Sequence, residues 1–123
     1  MLQTEIHIDG RVVGAEHRPL VVTEVGINHD GDFDRAVRMF HDVAEAGGEC
    51  VKIQSHVVDD EMIPNDVVPG NADEPIWDMM QRCALSSEME RELKGIAENL
   101  GLIFLSTPFS RAAADNLHAM DIA

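Results

Sequence analysis

Leu20-Val21-Val22-Thr23-Glu24-Val25-Gly26-Ile27-Asn28-His29-Asp30-Gly31-Asp32 reads as a buried strand that ends on a carboxylate and breaks at a glycine into a polar loop. Its apolar run is continuous, as expected of a parallel-sheet strand covered on both faces. Asp32 is placed to cap a helix over about 33–46, where Ala36, Val37, Phe40, Val43 and Ala44 recur at helical spacing. Gly47-Gly48 stops that helix, and a second strand over 50–54 follows. The pattern strand, helix, strand predicts a right-handed parallel crossover.

Working outward, the same pattern recurs. Ile76 to Ala84 predicts a short helix, and Ser86 or Ser87 caps another that runs to about Leu100. Ser87 with Glu90 fits a capping box. Gly101 ends that helix, Leu102-Ile103-Phe104-Leu105 makes a third strand, and Arg111 to Met120 begins a further helix. Residues 55–75 form a long polar connection with Pro64, Pro69, Gly70 and Pro75, and loops of that length are commonly lids or binding loops. Upstream, residues 3–14 alternate polar and apolar around Asp9-Gly10, the signature of a tight hairpin. Residues 1–17 are therefore read as a hairpin cap and 18–123 as the α/β part.

The polar residues that interrupt the strands carry the functional signal. Glu24 follows the first run, Lys52 and Gln54 the second, and Ser106 and Thr107 the third. In a parallel α/β barrel the carboxyl ends of the strands open onto one face, and that face holds the active site. A closed eight-stranded barrel takes about 250 residues. The 123 residues here are therefore either a smaller α/β fold or the front part of a larger one. The site is expected to be incomplete within them.

Composition narrows the class. A net charge of −14 excludes nucleic acid and anionic membranes as expected partners. Lys52 is one of only two lysines, so an anionic substrate must find a local positive point in an acidic body. No stretch approaches the ~20 apolar residues of a membrane helix, and the start lacks the apolar core of a signal peptide. With Cys50 and Cys83 as its two cysteines, the chain is expected in a reducing cytoplasm.

Five segments in order resemble one family: Glu24 to Gly31, Val51-Lys52-Ile53-Gln54, Pro69-Gly70-Asn71-Ala72-Asp73, Arg82-Cys83-Ala84-Leu85 and Leu105-Ser106-Thr107-Pro108-Phe109. Together they are similar to the N-terminal part of the sialic acid (N-acetylneuraminate) synthases, and the resemblance implies the first part of a (β/α)8 TIM barrel, a hairpin plus about three βα units. The resemblance implies condensation of phosphoenolpyruvate with N-acetylmannosamine, giving N-acetylneuraminate and phosphate. It implies Lys52, Gln54 and Thr107 as phosphoenolpyruvate ligands, Glu24 as a catalytic acid or base beside the sugar, and Asn71 as a sugar contact. It further implies a divalent metal, Mn²⁺ or Mg²⁺, whose histidine ligands lie beyond residue 123, and a homodimer for the full-length enzyme. A related nonulosonic acid of the legionaminic type is the neighbouring alternative. A non-catalytic fragment that needs another chain is the alternative of a different class, and the isolated chain is expected to be inactive.

Residue by residue, plainer readings stand beside these. Glu24 can be a strand-end carboxylate paired with a cation, and Ser106-Thr107 a strand-to-helix turn. Lys52 resists that treatment, because a lysine on an apolar strand needs an anionic partner. His29 and His56 are expected as satisfied loop histidines rather than metal ligands. Glu88, Glu90, Glu92 and Glu98 read as a solvated helix face, with Glu90 and Lys94 forming an i,i+4 pair. Trp77 is expected to anchor the long loop, and Cys50 to be buried and inert.

Overall fold

A computed structural model describes residues 4–123. Residue 3, where the predicted hairpin begins, lies outside them. β1 (Glu5–Ile8) and β2 (Arg11–Gly14) pair antiparallel with Ile8 opposite Arg11, which leaves Asp9-Gly10 as a two-residue turn. Both turn residues take positive φ, 47° and 80°, as a type I′ hairpin requires. Arg11 Nε donates to Glu49 Oε2 at 2.9 Å, tying this ribbon to the residue that precedes the second parallel strand. The hairpin therefore covers the end of the sheet where strands begin.

β3 (Val22–Val25), β4 (Cys50–Ser55) and β5 (Ile103–Pro108) form a parallel sheet in that order. A single 3₁₀ turn (Ile27–His29) leads into α1 (Phe33–Glu45), and α2 (Val58–Glu61) is one turn long. α3 (Ile76–Cys83), α4 (Ser87–Asn99) and α5 (Arg111–Ala119) complete the order. Among the described residues no helix is long and apolar enough to cross a membrane.

Side chains alternate across a strand, so the register assigns each residue to a face. Val25, Val51, Ile53 and Phe104 share one face and are buried against Ala36, Phe40 and Val43 of α1 and Leu93 and Ala97 of α4. Phe40 and Phe104 meet with ring centroids 6.2 Å apart, tilted by 50°. This is the core. The opposite face carries Val22 and Glu24, Lys52 and Gln54, and Ile103, Leu105 and Thr107, all exposed or half-buried.

Helix ends match the sequence closely. The Asp32 carboxylate accepts from Arg35 N at 2.9 Å, capping α1 as predicted. At its other end Gly48 N donates to Val43 O and Gly47 N to Ala44 O, a Schellman motif that turns the chain directly into β4. α4 ends in the same way, with Leu102 N on Ala97 O and Gly101 N on Glu98 O. Asp32→Ala is expected to cost about 1 kcal/mol, and Asp32→Asn only a few tenths, in urea unfolding. Equal losses for the two would contradict the capping role.

Five sequence expectations are corrected. Residues 55–75 are not structureless throughout, because Ser55 completes β4 and Val58–Glu61 makes a helical turn. Ser106 and Thr107 lie inside β5 rather than in a turn after it, since the ladder continues to Ser55 opposite Pro108. Ser86, not Ser87, caps α4, its hydroxyl accepting from Met89 N at 3.2 Å, so the Ser87–Glu90 box does not form. Glu90 is buried at 2% exposure, and Lys94 pairs instead with Glu98 at 2.5 Å. The first strand is also less covered than its apolar run implies, with Val21 and Val22 exposed.

Candidate functional site

Lys52 stands opposite Glu24 across β3 and β4, and its Nζ lies 2.5 Å from Glu24 Oε1. The lysine is the more enclosed partner, with 28% of its side chain exposed against 57% for the glutamate. A lysine on this sheet face requires an anion, and Glu24 supplies it. Two residues along β4, Gln54 projects to the same face and stands opposite Thr107 of β5. Glu24, Lys52, Gln54 and Thr107 thus form one patch at the carboxyl end of three adjacent strands. Asn71 is not part of this patch: it is exposed in a turn closed by Ala72 N on Pro69 O, within the loop ahead of α3.

The patch is walled by the segment that follows β4. His56, 7% exposed, packs its ring on Phe109 at 4.4 Å and meets Gln54 and Glu61 through its two nitrogens. The loop after β3 makes the other wall. There His29 is buried and accepts from Gly31 N through Nδ1 at 3.0 Å, and burial lowers its pKa, holding it neutral. His56 thus makes hydrogen bonds through both ring nitrogens and His29 through Nδ1. Arg82 binds both Asp30 and Glu74, pinning this loop to α3 and to the end of the long loop. Its guanidinium hydrogen bond holds the Asp30 carboxyl below its ordinary range.

Both thiols are buried and free. Burial raises the pKa of Cys50 and of Cys83, so neither is poised as a nucleophile. A cavity of about 750 Å³ lined by Arg18, Pro19, Val21, Thr23, Gly48 and Glu49 opens where the strands begin, away from the polar patch. Its lining is largely apolar, and the Arg18 and Glu49 side chains in it pair with each other at 3.5 Å. Among the described residues no three His, Cys, Asp or Glu side chains gather into a set able to hold a metal ion. The patch does not constitute a divalent-cation site by itself.

Sequence reasoning missed Glu61 and the buried Glu90. A signal for Glu90 existed, since positions 90, 93 and 97 fall on one helical stripe with Leu93 and Ala97. No local pattern announces Glu61, whose partner is brought to it by the turn after β4.

Over residues 19–123 the sequence matches the NeuB family. The chain belongs to the NeuB family. Among relatives, N-acetylneuraminate-9-phosphate synthase of Homo sapiens is 27% identical over 118 residues, covering 92% of this chain and 33% of that protein. N,N'-diacetyllegionaminic acid synthase of Campylobacter jejuni is 28% identical over 111 residues, covering 85% of this chain and 33% of that protein. The crystal structure of N-acetylneuraminic acid (sialic acid) synthetase from Leptospira borgpetersenii superposes with a TM-score of 0.81 at 20% identity, over 96% of this chain and 39% of that one. That likeness establishes the mixed α/β fold with its three parallel strands. The chain spans about a third of the length of the curated NeuB-family relatives it matches.

Proposed function

We propose that this NeuB-family chain forms the first βα units of a barrel enzyme that condenses phosphoenolpyruvate with N-acetylmannosamine or a closely related amino sugar. The supporting observation is the Lys52–Glu24 ion pair on the open sheet face, with Gln54 and Thr107 in register beside it. In this reading Lys52, Gln54 and Thr107 bind phosphoenolpyruvate. An ammonium, an amide and a hydroxyl give charge and directed hydrogen bonds to its phosphate and carboxylate. Phosphoenolpyruvate then takes the place of Glu24 beside Lys52.

The released Glu24 carboxylate accepts a hydrogen bond from a sugar hydroxyl near the reacting carbon, where it can take up or return a proton. Carbon 3 of phosphoenolpyruvate bonds to the sugar aldehyde carbon, water adds to carbon 2, and the C–O bond to phosphate breaks. The products are the nonulosonic acid and inorganic phosphate. A divalent cation would polarise the aldehyde oxygen as it gains charge, and the residues described here do not supply its ligand set. Asn71, on the loop ahead of α3, is assigned to the sugar.

Lys52→Ala, made in the full-length enzyme, tests the reading. It is expected to raise the KM for phosphoenolpyruvate about tenfold to a hundredfold, the loss of one charge-assisted contact, with a smaller effect on the sugar KM. Unchanged phosphoenolpyruvate kinetics would remove the assignment. The relatives include synthases of N-acetylneuraminate-9-phosphate, of N,N'-diacetyllegionaminic acid and of pseudaminic acid, so N-acetylmannosamine is compared with its diacetamido analogues in the same assay.

A further inference from the structure

His56 is built into the protein more firmly than a loop histidine needs to be. Only 4% of its side chain is exposed, and its ring lies over Phe109. Its Nδ1 is 2.8 Å from Glu61 Oε2, and a carboxylate only accepts, so the ring N–H donates there. Its Nε2 is 3.2 Å from Gln54 Oε1, the amide oxygen of a residue on the open sheet face and likewise only an acceptor, so in this arrangement both ring nitrogens donate, with the Glu61 carboxylate as the ring's counter-charge. The other end of that amide, Nε2, is turned toward Gly26: a Cβ placed on Gly26 would lie 3.5 Å from it. Gly26 directly follows the strand that carries Glu24.

Glu61 is itself held in place. It closes α2, and each acid of that turn reaches a different element. Asp59 Oδ1 accepts from Gln81 Nε2 of α3 at 3.2 Å, and Asp60 Oδ2 accepts from Ala112 N in the first turn of α5 at 2.9 Å. Glu61, with 11% of its side chain exposed, turns inward to His56. The run Asp59-Asp60-Glu61 is therefore a bracket that spans the top of the sheet, and its inward member ends on Gln54 through the imidazole.

We infer that His56 and Glu61 are positioning residues for Gln54, fixing its amide with the oxygen toward His56 and the NH2 end toward β3 and the open face. The inference rests on the proposed assignment of Gln54 to phosphoenolpyruvate. An amide rotates by half a turn at little cost when nothing holds it, and its two ends have opposite electrostatic character. With NH2 forward it donates to a phosphate or carboxylate. With oxygen forward it repels one. A His56–Glu61 couple that holds the oxygen back converts a residue of either polarity into a dedicated anion donor, as supporting hydrogen bonds do for ligands at preorganised sites.

The test has one readout that needs no ligand. In ¹⁵N-resolved NMR of the protein, the Gln54 side-chain NH2 should show a nuclear Overhauser contact to the Gly26 α protons. In His56→Leu and in Glu61→Ala that contact should weaken or vanish. The second readout is phosphoenolpyruvate binding by the full-length enzyme. His56→Leu and Glu61→Ala should raise its KM about tenfold while leaving the sugar KM unchanged, and Glu61→Gln, which keeps an acceptor for Nδ1–H, should lie between them and the parent. Absence of the Gly26 contact in the parent overturns the inference, as does normal phosphoenolpyruvate binding in both His56→Leu and Glu61→Ala when Gln54→Ala and Lys52→Ala lose it. If Gln54→Ala and Lys52→Ala also bind normally, the anion assignment itself fails. Glu61→Ala, at a partly open position, provides the answer should His56→Leu not fold.

Discussion

Gly31→Ala is expected to destabilise the protein by about 2–5 kcal/mol, lowering Tm by roughly 8–20 °C. Gly31 sits at φ +76°, in the left-handed region, and a Cβ there would come within 2.2 Å of Arg82 O and 3.2 Å of Arg82 C. That neighbour is backbone in the last turn of α3, which no side-chain rotation can move aside. Left-handed backbone costs a non-glycine residue about 1–2 kcal/mol, and displacing packed structure adds a further ~1–3 kcal/mol. Gly10→Ala is the control. It also has positive φ, +80°, but nothing within 4 Å of its missing Cβ, so only the conformational cost of about 1–2 kcal/mol applies. If the two variants lose the same stability, close packing of the loop on α3 contributes nothing. The effect has a functional side too, because Gly31 belongs to the loop that follows Glu24 and is joined to α3 through Asp30 and Arg82. Pushing that contact apart moves one wall of the candidate site.

Much of this arrangement is legible in the sequence, and the reasons are local. The Asp9-Gly10 turn, the Asp32 cap and the Gly47 and Gly101 stops each depend on one or two neighbouring residues. Parallel pairing follows from the alternation of strands and helices. The grouping of Glu24, Lys52, Gln54 and Thr107 follows from period-two projection, once the strands are parallel and their ends align. What the sequence leaves hidden depends on contacts across long separations. Asp60 reaching Ala112 and Ser55 reaching Glu90 join residues 52 and 35 positions apart. Charge also misleads. An acidic helix such as α4 reads as a solvated surface, and only the stripe shared with Leu93 and Ala97 points Glu90 inward.

The strand ends that carry the candidate site are supported from both sides of the sheet. On the open face, Glu24 neutralises Lys52, and the His56–Glu61 couple holds Gln54. On the core face, Ser55 donates to Glu90 Oε2 at 2.9 Å, while Glu90 Oε1 and the neighbouring strand's Ser106 Oγ are buried without partners. An unpaired carboxylate oxygen in a dry position is costly, whereas a protonated carboxyl there carries no charge to desolvate. The core support is thus of a different kind from the ion pair on the open face.

That difference makes stability depend on pH in an unusual direction. Burial pushes the Glu90 pKa up to about 7, against an ordinary value of 4.5, and the Ser55 hydrogen bond only partly offsets it. Between those values the folded protein keeps a proton that the unfolded chain releases. Folding is therefore favoured at low pH, and this contribution is lost as pH rises from about 4.5 through about 7. The full change is about 3 kcal/mol. Most paired surface carboxylates act the opposite way, so the parent's total pH dependence mixes both signs. Glu90→Gln isolates the term, because an amide is neutral at every pH and keeps an acceptor for Ser55. The difference in unfolding free energy between Glu90→Gln and the parent should grow by about 3 kcal/mol in favour of the variant from pH 4.5 to pH 8. A constant difference across that range would mean that Glu90 is not held protonated. Should it grow as expected, the acid beneath Ser55 loosens the end of β4 as it ionises, next to the strand residue proposed to bind phosphoenolpyruvate.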